Sequence, residues 1–291
     1  MESVNTLAGK NLSIGGLLDG QGFVKVIKVN PETHPEGYTP EYLVAKAARA
    51  SYGNDNKSAK ADQRLIEFLI RHQHTSPLEM CSITFCLKLP IAICRQLLRH
   101  RTGKFNEFSQ RYSEVTEEVN RLRLDKWKEG IRGASADNQQ ASEFNLDEDQ
   151  QIDIQAKLER AEELQDQIFT IYQELLESGL AREVSRFLLP VSTYTTIFVQ
   201  FDLNNLLKFF RLRCAADAQY EIQIYAKAMR QLAEQFFPIS VAMQLDYEGA
   251  LYLGKWEKQM IVNKKIPEEI KSKTHISDLK KLAQELNIKL N

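Results

Sequence analysis

Between Arg99 and Tyr112 the chain reads RHRTGKFNEFSQRY, and these fourteen residues hold three arginines, a lysine, a histidine, a glutamate, an asparagine and a serine. An arginine side chain ends in a planar fork that grips phosphate in two places and keeps its charge when half-buried. Two arginines could do no more than complement the dipole at a helix C-terminus. Five cationic residues with Asn-Glu-x-Ser inside thirteen positions exceed that need, and the stretch reads as a holder of a phosphorylated ligand. The preceding residues, 90–98, predict an apolar helix with Pro90 in its first turn. Ile91, Cys94, Leu97 and Leu98 recur at helical spacing, so a buried helix delivers Arg95, Gln96 and Arg99 to its C-terminal end.

The run R-H-R-x-x-x-x-N-E-x-S-x-R-Y, from Arg99 to Tyr112, resembles the signature of the flavin-dependent thymidylate synthases, the ThyX family, and matches it at each fixed position. Other segments carry the same resemblance. His74, Ser76 and Glu79 stand in an H-x-S-x-x-E pattern, and Ser51 ends an A-R-x-S segment. Arg186 is the second arginine of AREVSRFLLP, and Arg213 closes NNLLKFFRLR, which AQYEI follows at Ala218 to Ile222. The resemblance covers roughly residues 22–245. It implies an α/β (α+β) fold with an antiparallel sheet flanked by long helices.

The reaction it implies is reductive methylation of dUMP to dTMP. Methylenetetrahydrofolate gives the carbon, and FAD reduced by NADPH gives the hydride. It also implies a homotetramer with sites shared between subunits. Under this resemblance Arg111, Arg186 and Gln96 suit the substrate phosphate, and Arg213 the pyrimidine ring. Arg99, His100 and Arg101 suit flavin phosphates and ring edge, with Arg99 also touching substrate. Asn106 and Glu107 suit flavin or ribose hydroxyls. Ser109 is a substrate hydrogen-bonder, with nucleophile as the minor alternative. Ser51, His74, Ser76, Glu79, Asp202, Asn204 and Lys208 are expected along the flavin. Asp202, Lys208 and Asp217 depart from the asparagine or histidine that many members carry, and weaker flavin retention is expected from them. A member that binds flavin or nucleotide without catalysis, or transfers a different one-carbon group to a pyrimidine nucleotide, is the alternative.

Several elements must position these groups. A β-branched run predicts a strand over 23–29 and an apolar stripe a helix over 60–72; 40–52 also reads as helical. Residues 80–89 alternate, with Cys81, Ile83, Phe85, Leu87 and Leu89 on one face, and so predict a half-exposed strand feeding into the arginine-bearing helix. A long amphipathic helix is expected over 149–178, with its stripe at Ile152, Leu158, Ala161, Leu164, Ile168, Ile171 and Leu175; it is a candidate subunit contact. A short helix follows over 181–189, then a strand over 193–201. Asp202 is placed to cap a helix over 203–212, and another helix over 217–237 ends at Pro238. Residues 1–21 read as a loose leader, 113–150 as a surface insertion, and 246–291 as an extension with one amphipathic helix near 276–288.

With 291 residues, 43% hydrophobic and 26% charged, the composition is that of a globular protein. A net charge of −1 argues against a general nucleic-acid binder. Cys81, Cys86, Cys94 and Cys214 lack metal-ligand spacing and mostly lie in apolar segments, so they read as buried thiols. No cysteine stands in a nucleophile arrangement with histidine, and no metal set is visible. No apolar run reaches membrane length, and a reducing cytoplasm is the expected location.

Overall fold

The computed structural model describes residues 10, 12–50, 58–115, 132–135, 142–143, 145–247 and 253–290. The chain forms two compact units, residues 1–248 and 249–291. The first opens with β1 (Ser13–Leu17), β2 (Gly22–Asn30), α1 (Tyr42–Ala48), α2 (Ala59–Arg71) and a 3-10 turn over Ser76–Met80. Next come β3 (Ser82–Pro90), α3 (Ile91–Leu97) and β4 (Lys104–Glu107), then the short pair β5 (Gly133–Ala134) and β6 (Ser142–Glu143). The long α4 (Glu148–Glu177) leads into α5 (Arg182–Ser185) and a 3-10 turn at Arg186–Leu188. The unit ends with β7 (Tyr194–Asp202), α6 (Leu203–Arg213), α7 (Tyr220–Glu234) and α8 (Pro238–Asp246).

Five strands form one antiparallel sheet in the order β1-β2-β3-β7-β4. The alternation in β3 does what a period of two requires. Ile83, Phe85, Leu87 and Leu89 are fully buried, beside Ile197, Val199 and Phe201 of β7. Phe209 and Phe210 of α6 and Ile222, Tyr225 and Met229 of α7 complete the same core. Asp202 caps α6 as expected, its carboxylate accepting from the Asn205 backbone N–H at 2.9 Å.

The structure corrects the sequence reading at several elements. Residues 13–17, inside the expected leader, are the edge strand β1. Lys104–Glu107, inside the polar Arg99–Tyr112 run, is the opposite edge strand, pairing Lys104 with Gln200 through Glu107 with Ile197. Pro238 does end one helix but sits in the first turn of the next, α8. That helix start is held by a distant acid: the buried Glu41 carboxylate accepts from the backbone N–H groups of Ile239 (2.8 Å) and Ser240 (2.9 Å) and from the Ser240 hydroxyl (2.7 Å). Burial pushes the Glu41 carboxyl up from its ordinary value, and these hydrogen bonds oppose the rise. In α4 the buried side chains are Phe169 and Tyr172, while Ile152, Leu164 and Ile171 of the expected stripe are exposed.

The second unit holds α9 (Lys255–Asn263), which the sequence reading did not foresee, and α10 (Lys273–Glu285), which it did. They pack through Met260, Leu279 and Ala283. All four cysteines are buried, and none forms a disulfide. Among the described residues no helix is long and apolar enough to cross a membrane, and no cluster of histidine, cysteine or acids could hold a metal.

Candidate functional site

Two helices that leave opposite ends of the central strand pair meet at their C-terminal ends. β3 ends at Pro90, opposite Tyr194, and runs into α3; β7 ends at Asp202, opposite Ser82, and runs into α6. Arg213, the last residue of α6, donates from Nε to His100 Nε2 at 2.9 Å and from Nη2 to the Gln96 carbonyl at 3.4 Å. The His100 ring packs edge-on against buried Phe209 with centroids 4.9 Å apart. The turn after it needs Gly103: a Cβ there would lie 2.6 Å from the Phe201 ring and 2.7 Å from the Phe105 ring. The turn therefore lies flat on the core and leads directly into β4.

His100 accepts on Nε2, so the neutral ring carries its proton on Nδ1. Burial first, and the Arg213 guanidinium second, push its pKa down from 6.5 to about 4. The folded value lies below the unfolded one, so the unfolded chain takes up a proton first as pH falls. The stability that rests on neutral His100 is complete above pH 6.5 and is lost as pH drops towards 4. The gap between those values corresponds to about 3 kcal/mol as an upper figure. Thermal unfolding of the wild type is expected to drop across this window more steeply than that of His100→Asn; parallel curves would remove His100 as the source.

Positive charge gathers around this contact. Among the described residues Arg95, Arg99, Arg101 and Lys104 have no carboxylate partner. Burial, and then the nearby Arg99, lower the pKa of Arg213. Gln96 is held by its own amide, which donates to the Gln219 Oε1 atom. Gln219 in turn donates to Glu221 at 2.7 Å, and Glu221 pairs with Arg132 at 3.5 Å. The sequence reading missed this chain of contacts, although the AQYEI run that contains Gln219 and Glu221 was its signal.

A second group lies between the end of β4 and α5. Arg111 pairs with Glu183 at 3.2 Å, Arg182 with Glu114 at 2.8 Å, and Arg186 Nε donates to the Glu183 carbonyl at 3.4 Å. The Ser109 hydroxyl accepts from the Arg111 backbone N–H at 3.4 Å, and no histidine is hydrogen-bonded to it. Just before it, Glu107 accepts from the Thr195 hydroxyl at 2.9 Å, and Asn106 is exposed on β4. Cys94 is pushed up to about 12, by burial and then by Glu107, so it is no thiolate.

The third group joins the 3-10 turn to α6. Asn204 donates to Glu79 at 3.2 Å, which brings the His74–Glu79 segment to the start of that helix. His74 and Ser76 are exposed, with the His74 ring 5.9 Å from Phe68. Both Asp202 oxygens are engaged by Asn205, one by its backbone and one by its side chain. Lys208 and Asp217 are exposed, and no ion pair joins them among the described residues. Ser51 lies outside the described residues.

Known proteins share this arrangement of sequence and fold. The family model described as thymidylate synthase complementing protein matches residues 36–239. A flavin-dependent thymidylate synthase of Ehrlichia ruminantium (strain Gardel) is 39% identical over 204 residues, 70% of this chain and 66% of that protein. The chain thus spans just under two thirds of that relative's length. One of Thermus thermophilus is 37% identical over 227 residues, 77% of this chain and 79% of that protein. Among solved structures, a UMP/dUMP methylase, PolB, from Streptomyces cacaoi bound with 5-Br dUMP superposes with a TM-score of 0.65 at 28% identity, over 78% of this chain and 95% of that one. The same enzyme bound with 5-Br UMP gives a TM-score of 0.63. The RHR run, the antiparallel sheet beneath it and these likenesses together place the chain in the family of the flavin-dependent thymidylate synthases.

Proposed function

We propose that this protein methylates dUMP at ring carbon 5 to give dTMP, with the carbon drawn from methylenetetrahydrofolate and the reducing equivalents from NADPH by way of bound FAD. The observation that carries the reading is the intact Arg99–Tyr112 run with Arg213 held against it, in a chain 39% identical to a flavin-dependent thymidylate synthase. The unpaired cations Arg99 and Arg101 fit a diphosphate-bearing cofactor, and with His100 they would hold FAD. His74, Ser76, Glu79, Asn204 and Lys208, with Ser51 and the exposed Asn106, would line it; Asp202 acts there through the α6 start that it caps. When bound, the flavin supplies the hydride that completes the methyl group.

The protein's own residues bind and orient the nucleotide. Arg111 and Arg186 suit the substrate phosphate, which would draw Arg111 from the exposed Glu183 pair. Ser109 suits a hydrogen bond to the nucleotide, and Glu107, fixed by Thr195, a ribose hydroxyl. Arg213 suits a pyrimidine carbonyl, where negative charge develops during methylation. Exposed Ile152, Leu164 and Ile171 on α4 suit a homotetramer with shared sites. Buried cysteines without disulfides fit a cytoplasmic location, and the near-zero net charge supports the absence of a nucleic-acid partner.

The test is turnover by the purified protein with dUMP, methylenetetrahydrofolate, NADPH and FAD. We expect dTMP, an oxidised-flavin spectrum, and a four-chain mass by light scattering. A folded, flavin-loaded protein that makes no dTMP would overturn the enzyme reading, and an active monomer the tetramer. The likeness to a UMP/dUMP methylase favours one second reading, acceptance of UMP as well; UMP run in parallel decides it.

A further inference from the structure

We infer that Arg132, Glu221 and Gln219 form a positioning relay that fixes which way the Gln96 amide faces, and through it selects uracil over cytosine nucleotides. The inference deepens the function proposed above and rests on it. A glutamine amide has two orientations of nearly equal shape, one offering a donor where the other offers an acceptor. Here the choice is made at the far end of the relay. Glu221 is an acceptor only, with its side chain 9% exposed, and is paired with Arg132, itself 13% exposed. Gln219 must therefore turn its NH2 group to Glu221, as it does at 2.7 Å, and its oxygen towards Gln96. Gln96 must then donate to that oxygen, which leaves its own Oε1 as the acceptor for a ligand.

The same residue's backbone carbonyl accepts from Arg213. Gln96 thus offers a fixed side-chain acceptor on the same residue whose backbone carbonyl holds the Arg213 guanidinium, a fixed donor. A uracil edge presents carbonyl, N–H, carbonyl, and this pair complements an adjacent N–H and carbonyl. Cytosine presents an unprotonated N3 and an amino group there, and meets acceptor with acceptor and donor with donor. Discrimination of this kind comes from mismatched groups that stay unpaired once the ligand covers them. Under this proposal Gln96 would serve the base, where the sequence resemblance assigns it to the phosphate. Arg132, from the stretch read as a surface insertion, lies over the Tyr220 ring at 4.5 Å, so this residue reaches the site.

The test is equilibrium binding of dUMP and dCMP to the flavin-loaded holoenzyme and its variants. Glu221→Gln keeps the shape but lets both amides turn. It is expected to weaken dUMP about tenfold, the loss of one well-made hydrogen bond, and to narrow the dUMP-to-dCMP ratio by at least the same factor. Arg132→Lys keeps the charge and is expected to keep most of the ratio; Arg132→Ala is not. Gln219→Leu, at an exposed position, gives the same result should Glu221→Gln fail to fold. A folded variant with an unchanged ratio, or one that loses both nucleotides equally, would overturn the relay alone. A wild type that binds no dUMP would overturn the proposed function with it.

Discussion

Arg213→Ala is expected to lower kcat/KM for dUMP by about 10²–10³-fold, the usual consequence of removing one preorganised donor from a site of developing charge. The guanidinium is suited to the task by its placement. It sits at the C-terminal end of α6, where the helix dipole favours a cation. Its Nε and one Nη bond are spent on His100 and the Gln96 carbonyl, which leaves the rest of the fork for a ligand. Stability should change little. Two hydrogen bonds are lost, but so is the repulsion from Arg99 and the burial that together lower the Arg213 pKa. Arg213→Lys should also fail to restore the rate, because an ammonium cannot hold His100 and a carbonyl in one plane. Steady-state kinetics with thermal melts decides the matter. A melting temperature that falls as far as that of a core truncation would make Arg213 a structural residue instead.

The sequence made some of this site legible and hid the rest for physical reasons. Locally dense chemistry is readable: the Arg99–Tyr112 run announces itself by residue type, and β3 by the alternation that buries Ile83, Phe85, Leu87 and Leu89, broken only at buried Cys86 and at its end, Pro90. Asp202 as a cap needs only its own neighbours, since the bond it accepts comes from three residues on. β4 was not legible. It has four residues, only Phe105 of them apolar, and becomes a strand by pairing with β7 some ninety positions later. The Glu41 cap on α8 spans 198 residues and has no local trace. The α4 stripe misled because amphipathicity tells that a face is apolar and not what covers it; within this chain only Phe169 and Tyr172 are buried. The contact of Gln96 with Gln219 likewise depends on where two helices end. Two glutamines 123 positions apart carry no sign of it until the sheet has set the helices.

Phe209→Ala is expected to have the largest effect on stability, about 3–5 kcal/mol, as for other buried phenylalanine truncations. The ring is 0% exposed. It stacks on Phe201 with centroids 5.4 Å apart, lies 5.9 Å from Phe210 and meets His100 edge-on at 4.9 Å. Removing it opens a void between α6 and the sheet at the point where Gly103 already admits no larger side chain. For a chain of this size the melting temperature should fall by about 10 °C. Phe209→Leu, closer in volume, should cost less, about 1–2 kcal/mol, and remain folded. That variant separates packing from chemistry. It removes the aromatic wall of His100, admits water to the ring, and should raise the imidazole pKa from about 4 towards 6.5, because burial is the first cause of its depression. NMR titration of His100 in Phe209→Leu measures this directly. An unshifted imidazole in a destabilised protein would show that Arg213, not the aromatic core, holds the ring neutral.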